Sequence, residues 1–394
     1  MAGRVLIVSS SVYPQRNGSA IVIENLVSAL SPAEAAVFGE LSPLAKPVVR
    51  GPDSVEFAYF RSRLSLGGRG ARFLEPLRRR LLNRIVDRIC RTAVERQCDR
   101  IMGVYPDELY CYAACLAAQQ LEVPFFSYFH NTYADNTAIS GKRPQKWQQQ
   151  LFDSSQAVFT MSAGMQTHFE GTYDLPHCVP LRHTFAQYPS APGEYTPPGP
   201  DRAVRLVAFG NFNESNIDAT RRLVSAVRSS NQFELDVYTD VPPLLLRQRG
   251  IDPLVARHRG SLSGLSFDDM IARLRTYDAV VVTHGFHGGY GDVEYQTIFP
   301  TRTIPMLLCG RPVVVHSPPG SFLTNFFVQT EAGVVIQEAD TNALLQGLQC
   351  VVRDHDLAGR QLGNAFKASE QFFAPNVVRT FRQCIFPEVG DASI

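Results

Sequence analysis

Short unbroken apolar runs alternate along this chain with segments of helical period. RVLIVSSS at 4–11 is a continuous apolar run ending in small polar residues, the pattern of a central parallel strand covered on both faces. The turn YPQRNGSA follows, then an amphipathic helix with Ile23, Leu26, Val27 and Leu30 on one face. VEFAYF (55–60), DRIMGVY (99–105), VPFFSYF (123–129) and AVFTMS (157–162) predict further strands, with helical patterns between most of them. Buried strands alternating with helices predict a doubly wound sheet.

Around 188–204 the text changes to YPSAPGEYTPPGPDRAV, which holds five prolines and no apolar period and reads as a linker. The same grammar then restarts. VRLVAFGN (204–211) predicts a strand, Asn216–Ser229 a helix, FELDVYT (233–239) a strand, Asp268–Arg275 a helix, and DAVVVTHG (278–285) and AGVVIQ (332–337) strands. VEYQTIFPTRTIPMLLCGRPVVVHS reads as a loop, a short helix, a glycine turn and a buried strand. Two successive α/β domains joined by a proline hinge are expected, and in open sheets of this kind ligands bind beyond the carboxyl ends of the strands. Two such sheets facing each other would enclose a cleft.

Length agrees: 394 residues suit two domains of about 190 each. Formal net charge is +1, so nothing in the charge balance indicates nucleic acid. Only Lys46, Lys142, Lys146 and Lys367 are lysines, so the basic side chains are almost all arginine. The eight cysteines are scattered without a C-x-x-C pair, which points to reduced thiols in a cytoplasmic protein rather than a zinc site or disulfide framework. The opening MAGRVLIVSSSVYP has too short an apolar core for a signal peptide, and no window holds 18 uninterrupted apolar residues.

Residues 69–100 form one long helical pattern, with Phe73, Leu77, Leu81, Ile85, Ile89 and Ala93 repeating every four. Between Arg61 and Arg100 stand twelve arginines against Glu75, Asp87, Glu95 and Asp99. The stretch reads either as a solvated helix face or as a peripheral contact with an anionic membrane, here the inner membrane face.

Four loops follow strand ends and carry the candidate chemistry. In Tyr13–Ala20, Gly18 and Ser19 open a helix and let backbone N–H groups approach an anion, although any tight strand–helix turn favours glycine. In FSYFHNTYADN, His130 follows a buried strand directly, and it reads as a functional group or as a structural histidine. In AFGNFNESNID, Gly210 and Asn211 end the first strand of the second half, while Asn216 suits a helix cap. The fourth, VVVTHGFHGGYGDVEYQTIFPTRT, combines His284, a flexible glycine loop including Gly289, Glu294, and a helix start at Thr301, Arg302 and Thr303. A cation at a helix start opposes the macrodipole. Either an anion lies between Arg302 and the free N–H groups, which together make a diphosphate cradle, or Arg302 faces solvent.

The order SSSVYPQRNGSA, proline hinge, AFGNFNESNID, FPTRTIPMLLCGRPVVV resembles the GT-B glycosyltransferases, specifically the large retaining, family 4-like group that uses nucleotide-sugar donors. The resemblance covers nearly the whole chain. The family carries F-P-[ST]-K-x-x-E-x-x-x-x-G-x-P-V where this chain reads FPTRTIPMLLCGRPVV, which places Arg302 at the position of the diphosphate-binding lysine. Gly18 matches the first-domain glycine that touches donor phosphates, and His130 a histidine near the transferring sugar. FFAPNVVRTFRQCIF resembles the terminal helix that crosses back. Pro305 and Thr297 occupy the positions of the family's two acids, with Asp292 and Glu294 nearby, and Asn211 stands near the position of a basic residue.

The resemblance implies an α/β fold of two Rossmann-like domains facing across a cleft. Residues 1–190 would form the acceptor-side domain, 200–372 the nucleotide-sugar-binding domain and 373–394 the crossover helix. It implies sugar transfer from a nucleotide-diphosphate sugar to an acceptor hydroxyl of unknown identity, with retention. Arg302, His130 and Glu294 would act at the reacting sugar and phosphates. Gly18, Ser19, Gly210, Asn211, His284, Gly289, Thr301 and Thr303 would bind the donor. No D-x-D follows a strand, so no metal and no cofactor beyond the donor substrate is implied. A GT-B epimerase and a non-catalytic nucleotide-sugar-binding protein share these features.

Overall fold

A computed structural model describes residues 3–15, 17–42, 45–47, 55–62, 76–139, 141–175, 177–185, 195–199 and 201–387. The chain forms two compact units. The first comprises Met1–Asp135, Ile139–Ala186 and Phe373–Ile394, and the second Asn136–Ala138 and Gln187–Phe372. Within the expected linker, residues 188–194 and 200 lie outside the described residues, as do 69–75 of the basic stretch and 388–394 of the terminal segment.

The first unit is built on β1 (Val5–Ser9), β2 (Ala35–Leu41), β3 (Glu56–Arg61), β4 (Arg100–Tyr105), β5 (Phe125–Phe129), β6 (Ser155–Thr160) and β7 (Cys178–Pro180). They pair in parallel in the order β3-β2-β1-β4-β5-β6-β7. Val5, Leu6, Ile7 and Val8 are all fully buried, which is why β1 reads as an unbroken apolar run rather than an alternating one. β2 and β7 carry no clear sequence signal. AAVFGEL mixes alanine and glycine into the strand, and β7 is only three residues long.

Among the described residues the expected long basic helix is interrupted: 76–79 are helical, 80–81 turn, and the main helix follows. It runs Leu82–Glu95 and buries Ile85, Val86, Ile89, Cys90, Thr92 and Ala93. Gln97 turns left-handed (φ 52°), and the Cys98 N–H donates to Ala93 O while the Gln97 N–H donates to Val94 O. This paired closure satisfies the last carbonyls and ends the helix before β4. The outward side mixes Arg84, Arg88 and Arg91 with Asp87 and Glu95. No helix among the described residues is long and apolar enough to cross a membrane.

The second unit repeats the winding. β8 (Val204–Phe209), β9 (Phe233–Tyr238), β10 (Ala256–His258), β11 (Ala279–Thr283), β12 (Val313–His316) and β13 (Val334–Ile336) pair in parallel in the order β10-β9-β8-β11-β12-β13. Its core joins Leu206, Leu223, Leu235, Val281, Val314 and Leu348.

The terminal helix Ala374–Ile385 belongs to the first unit. Its backbone docks where the Ala374 N–H donates to Phe185 O (3.0 Å), and Val377, Val378, Phe381 and Ile385 enter the core of the first sheet. Phe381 stacks on Phe159 with ring centroids 6.2 Å apart, and Arg382 forks onto Glu34 at 2.6 and 3.0 Å. Replacing Phe381 with alanine should lower the stability of this unit by about 3–5 kcal/mol through the cavity it leaves. Trp147, the one tryptophan of the chain, sits in the same unit, so its fluorescence during urea unfolding reads the loss directly. An unchanged midpoint would show that the helix is not part of this core.

Candidate functional site

In the second sheet the winding reverses between β8 and β11, which are neighbours although β9 and β10 lie between them in sequence. A reversal of this kind opens a crevice beyond the strand ends. β8 is followed by Gly210 and β11 by His284, and the Arg302 side chain lies across both. Its Nη2 donates to Thr283 O at 2.6 Å. A Cβ on Gly210 would stand 3.1 Å from Arg302 Cδ and 3.5 Å from Nη1, and Gly210 has φ 123°. Glycine is therefore required at 210 twice over, for the backbone angle and for the passage of the arginine.

Burial alone shifts Arg302, pushing its pKa down to about 10, so it keeps its charge at neutral pH. No carboxylate among the described residues forms an ion pair with it. A desolvated cation answered only by a carbonyl dipole is costly unless an anion completes it.

The helix that Arg302 introduces is short, Thr303–Leu308, with Arg302 as its cap residue rather than a member of its first turn. The expected cradle of free N–H groups is not formed as predicted. The Thr303 N–H donates to Pro300 O (2.9 Å) and the Ile304 N–H to Thr301 O (3.2 Å), because the chain enters the helix through a tight turn. The positive charge here comes from the guanidinium. Thr303 Oγ1 is buried without a hydrogen-bond partner, and Thr301 is half-buried beside it.

His284 is fully buried. Its Nε2 lies 2.7 Å from Tyr295 O, so Nε2 carries the proton and Nδ1 is a bare acceptor, which has no partner. Burial, with the Arg302 charge adding to it, holds this imidazole neutral with a pKa of about 4. The following loop is packed rather than flexible. The Gly285 N–H donates to Ser215 O, and side chains at 285 or 288 would collide with Tyr295 and with the 214–215 backbone. Gly289 is exposed, with the Glu214 side chain 3.9 Å from where a Cβ would stand and its carbonyl accepting from Thr137 Oγ1 (2.9 Å); Asn211 is exposed, and Glu294 is buried in the helix Asp292–Thr297. Asn216 does not cap its helix through its side chain; Oδ1 accepts the Asn213 N–H instead, at 3.1 Å.

Neighbouring residues went unremarked in the sequence. Arg222 donates through Nε to His316 Nε2 (2.9 Å), pairs with Asp218 (2.7 Å) and lies 4.5 Å from the Phe286 ring centroid. Burial first, then the Arg222 charge, lowers His316 to about 4. Asp218 Oδ1 is buried and unpartnered. Arg249 Nη1 donates to Phe212 O beside Gly210. These residues come from separate stretches of the chain with no shared motif, so spacing could not reveal them.

The remaining candidates lie in the first unit. Asn17 caps the helix Gly18–Ser28 by accepting the Ala20 N–H, Gly18 has open space where a side chain would be, and Ser19 is half-buried. His130 follows β5, is buried, and packs edge-on against Tyr128 with centroids 4.3 Å apart. Neither ring nitrogen has a partner, and burial holds the ring neutral, well below the usual histidine range. Among the described residues no three His, Cys, Asp or Glu side chains gather as a metal-holding set.

No family model matches the chain, and no curated protein matches it. Solved structures do. Sucrose-phosphate synthase of Thermosynechococcus elongatus superposes with a TM-score of 0.73 at 15% identity, covering 100% of both chains. HepE of Anabaena, solved with UDP and with UDP-glucose, gives 0.64 at 14% identity over 98% of this chain and 99% of its own. A candidate UDP-N-acetylglucosamine 2-epimerase from Listeria monocytogenes gives 0.56 at 14% identity over 98% of each. The chain has the GT-B glycosyltransferase fold.

The neutral histidines make acid sensitivity a test of this geometry. Unfolded, His284 and His316 take up protons near 6.5; folded, they resist down to about 4. Between those values the unfolded chain binds more protons, so stability is complete above 6.5 and falls as pH drops towards 4. Unfolding free energies from urea titrations should decline by roughly 1–2 kcal/mol per buried imidazole by about pH 5. A flat profile over that range would mean that these rings reach solvent.

Proposed function

We propose that this chain is a glycosyltransferase that moves a sugar from a nucleotide-diphosphate sugar to an acceptor hydroxyl, with retention and without a metal ion. The observation that carries the reading is Arg302, a half-buried guanidinium with no acid partner among the described residues, laid across the strand ends where the second sheet reverses. HepE, which shares the fold, was solved with UDP and UDP-glucose, and this supports a nucleoside diphosphate as the missing anion.

Breaking a glycosyl–phosphate bond builds charge on the departing diphosphate. A preorganised cation in a desolvated site lowers that barrier without reorganising at the moment of reaction. Arg302 supplies the cation, anchored by Thr283 O so that its remaining N–H groups stay aimed. His284 Nδ1 supplies an acceptor for a donor hydroxyl, a role an acid fills in the resembled family, where this chain has the buried Pro305. The acceptor hydroxyl approaches the same face of the sugar and gives its proton to a donor phosphate oxygen, so no protein nucleophile is needed. His130 and Glu294 orient the sugar.

The Listeria neighbour favours a second reading, sugar-nucleotide epimerisation at the same diphosphate site. An epimerase would convert the donor with no acceptor present.

Arg302→Ala should weaken UDP and GDP binding in calorimetry and cut turnover on the order of 100-fold or more. The melting temperature of the empty protein should hold or rise, because an uncompensated cation is removed. Arg302→Lys should restore part of both, since charge survives while the fork is lost. Unchanged nucleotide affinity in Arg302→Ala would overturn the reading. Metal independence has its own test: transfer should persist in EDTA, and loss that magnesium or manganese restores would show that the neutralising charge comes from an ion.

A further inference from the structure

The first sheet holds a second set of unmade hydrogen bonds, and only half of it is His130. His183 stands three residues beyond β7 and is 6% exposed, while His130 stands directly after β5 and is 3% exposed. β6 lies between them, and its register fixes both strand tips: the Met161 N–H donates to Phe129 O (3.1 Å) and the Leu181 N–H to Thr160 O (2.8 Å). The two ring centroids are 5.9 Å apart, with the ring planes tilted at 59°. All four ring nitrogens are buried and none has a partner. The Tyr128 hydroxyl donates to Leu181 O at 2.8 Å and makes no hydrogen bond to either ring.

His183 is held in this position. The segment is tied by Leu181 to β6, by Thr184 O to Asn25 Nδ2 (2.8 Å) and by Phe185 O to the Ala374 N–H (3.0 Å). Structural histidines in cores are hydrogen-bonded, and buried polar atoms left unpaired are rare. Each neutral imidazole offers one donor and one acceptor. A phosphate would use only the donors and a cation only the acceptors. A hydroxyl uses both.

We propose that His183 and His130 form a neutral hydroxyl-binding pair at the carboxyl edge of the first sheet, and that His183 is a binding residue for a sugar hydroxyl. The proposal rests on the glycosyl-transfer reading and goes beyond it by assigning this residue and this chemistry. The hydroxyl belongs either to the donor sugar or to an acceptor.

Calorimetry on wild type, His183→Leu and His183→Asn with UDP, UDP-glucose and free glucose decides it. UDP affinity should be equal in all three proteins. His183→Leu should bind UDP-glucose about 10-fold or more weakly if the hydroxyl is the donor's, or lose glucose binding on the UDP-loaded protein if it is the acceptor's. His183→Asn, which keeps a donor and an acceptor, should recover part of the loss. Melting of the empty His183→Leu protein should hold or rise, since unmet polar atoms are removed. If His183→Leu binds UDP-glucose and glucose as wild type does, the pair serves only internal water and the proposal falls. If wild type binds UDP-glucose no better than UDP and binds no glucose, it falls likewise. Failure of UDP itself to bind wild type overturns the diphosphate reading alone, and the glucose arm, run without nucleotide, still reads the histidine pair.

Discussion

The second unit is organised around a guanidinium that no carboxylate among the described residues neutralises. Arg302 is half-buried and is anchored by one carbonyl, Thr283 O. Everything adjacent accommodates that arrangement. Gly210 has no side chain where the arginine passes, the chain turns tightly at 300–303 to place the cation ahead of its helix, and β8 and β11 hold the two contact points in parallel register. An acid at this place would settle the charge and stabilise the empty protein. Its absence leaves the charge available to a ligand, a trade of stability against function common where a fold carries a site.

The same logic recurs with neutral groups. His284 Nδ1, Thr303 Oγ1 and Asp218 Oδ1 at the second sheet, and the ring nitrogens of His130 and His183 at the first, are buried and unbonded. Other buried polar groups are fully answered, Asp236 by Tyr277, Arg257 and Arg259, while a few single atoms on helices, such as Tyr110 OH, Gln148 Nε2 and Gln361 Oε1, are also left unbonded. What sets the two histidines of the first sheet apart is that both nitrogens of each ring go unbonded, where the other cases involve one atom of a side chain.

Sequence showed the architecture well because its causes are local. Strands buried on both faces read as apolar runs, and the repeated strand–helix grammar after the proline-rich stretch announced a second sheet. It failed where the cause was not local. β2 is made of alanine, glycine and glutamate as much as of strand formers, and β10 is three residues long. The basic helix stops at Glu95 through a left-handed Gln97, a residue with no special preference for that conformation. Arg302, Gly210 and His284 were legible because each sits directly at a strand or helix end. His183, Arg222 and Arg249 were not, because their meaning lies in what surrounds them. Nothing in LRHTF says that both nitrogens of its histidine go unanswered.

Pro305 stands where the resembled family carries an acid. It lies in the first turn of Thr303–Leu308, where the N–H it lacks is not required, and its ring is buried among apolar neighbours. On the donor-site reading the hydroxyl acceptor is then His284, and a neutral acceptor has an advantage beside this particular cation. A carboxylate near Arg302 would compete with the phosphate for the guanidinium. The imidazole does not, because burial and the arginine's own charge both hold it unprotonated. The lone pair on Nδ1 can take a hydroxyl proton while the full positive charge remains for the diphosphate. Neutral acceptor and unquenched cation are compatible in one desolvated space, and each is maintained by the condition that maintains the other.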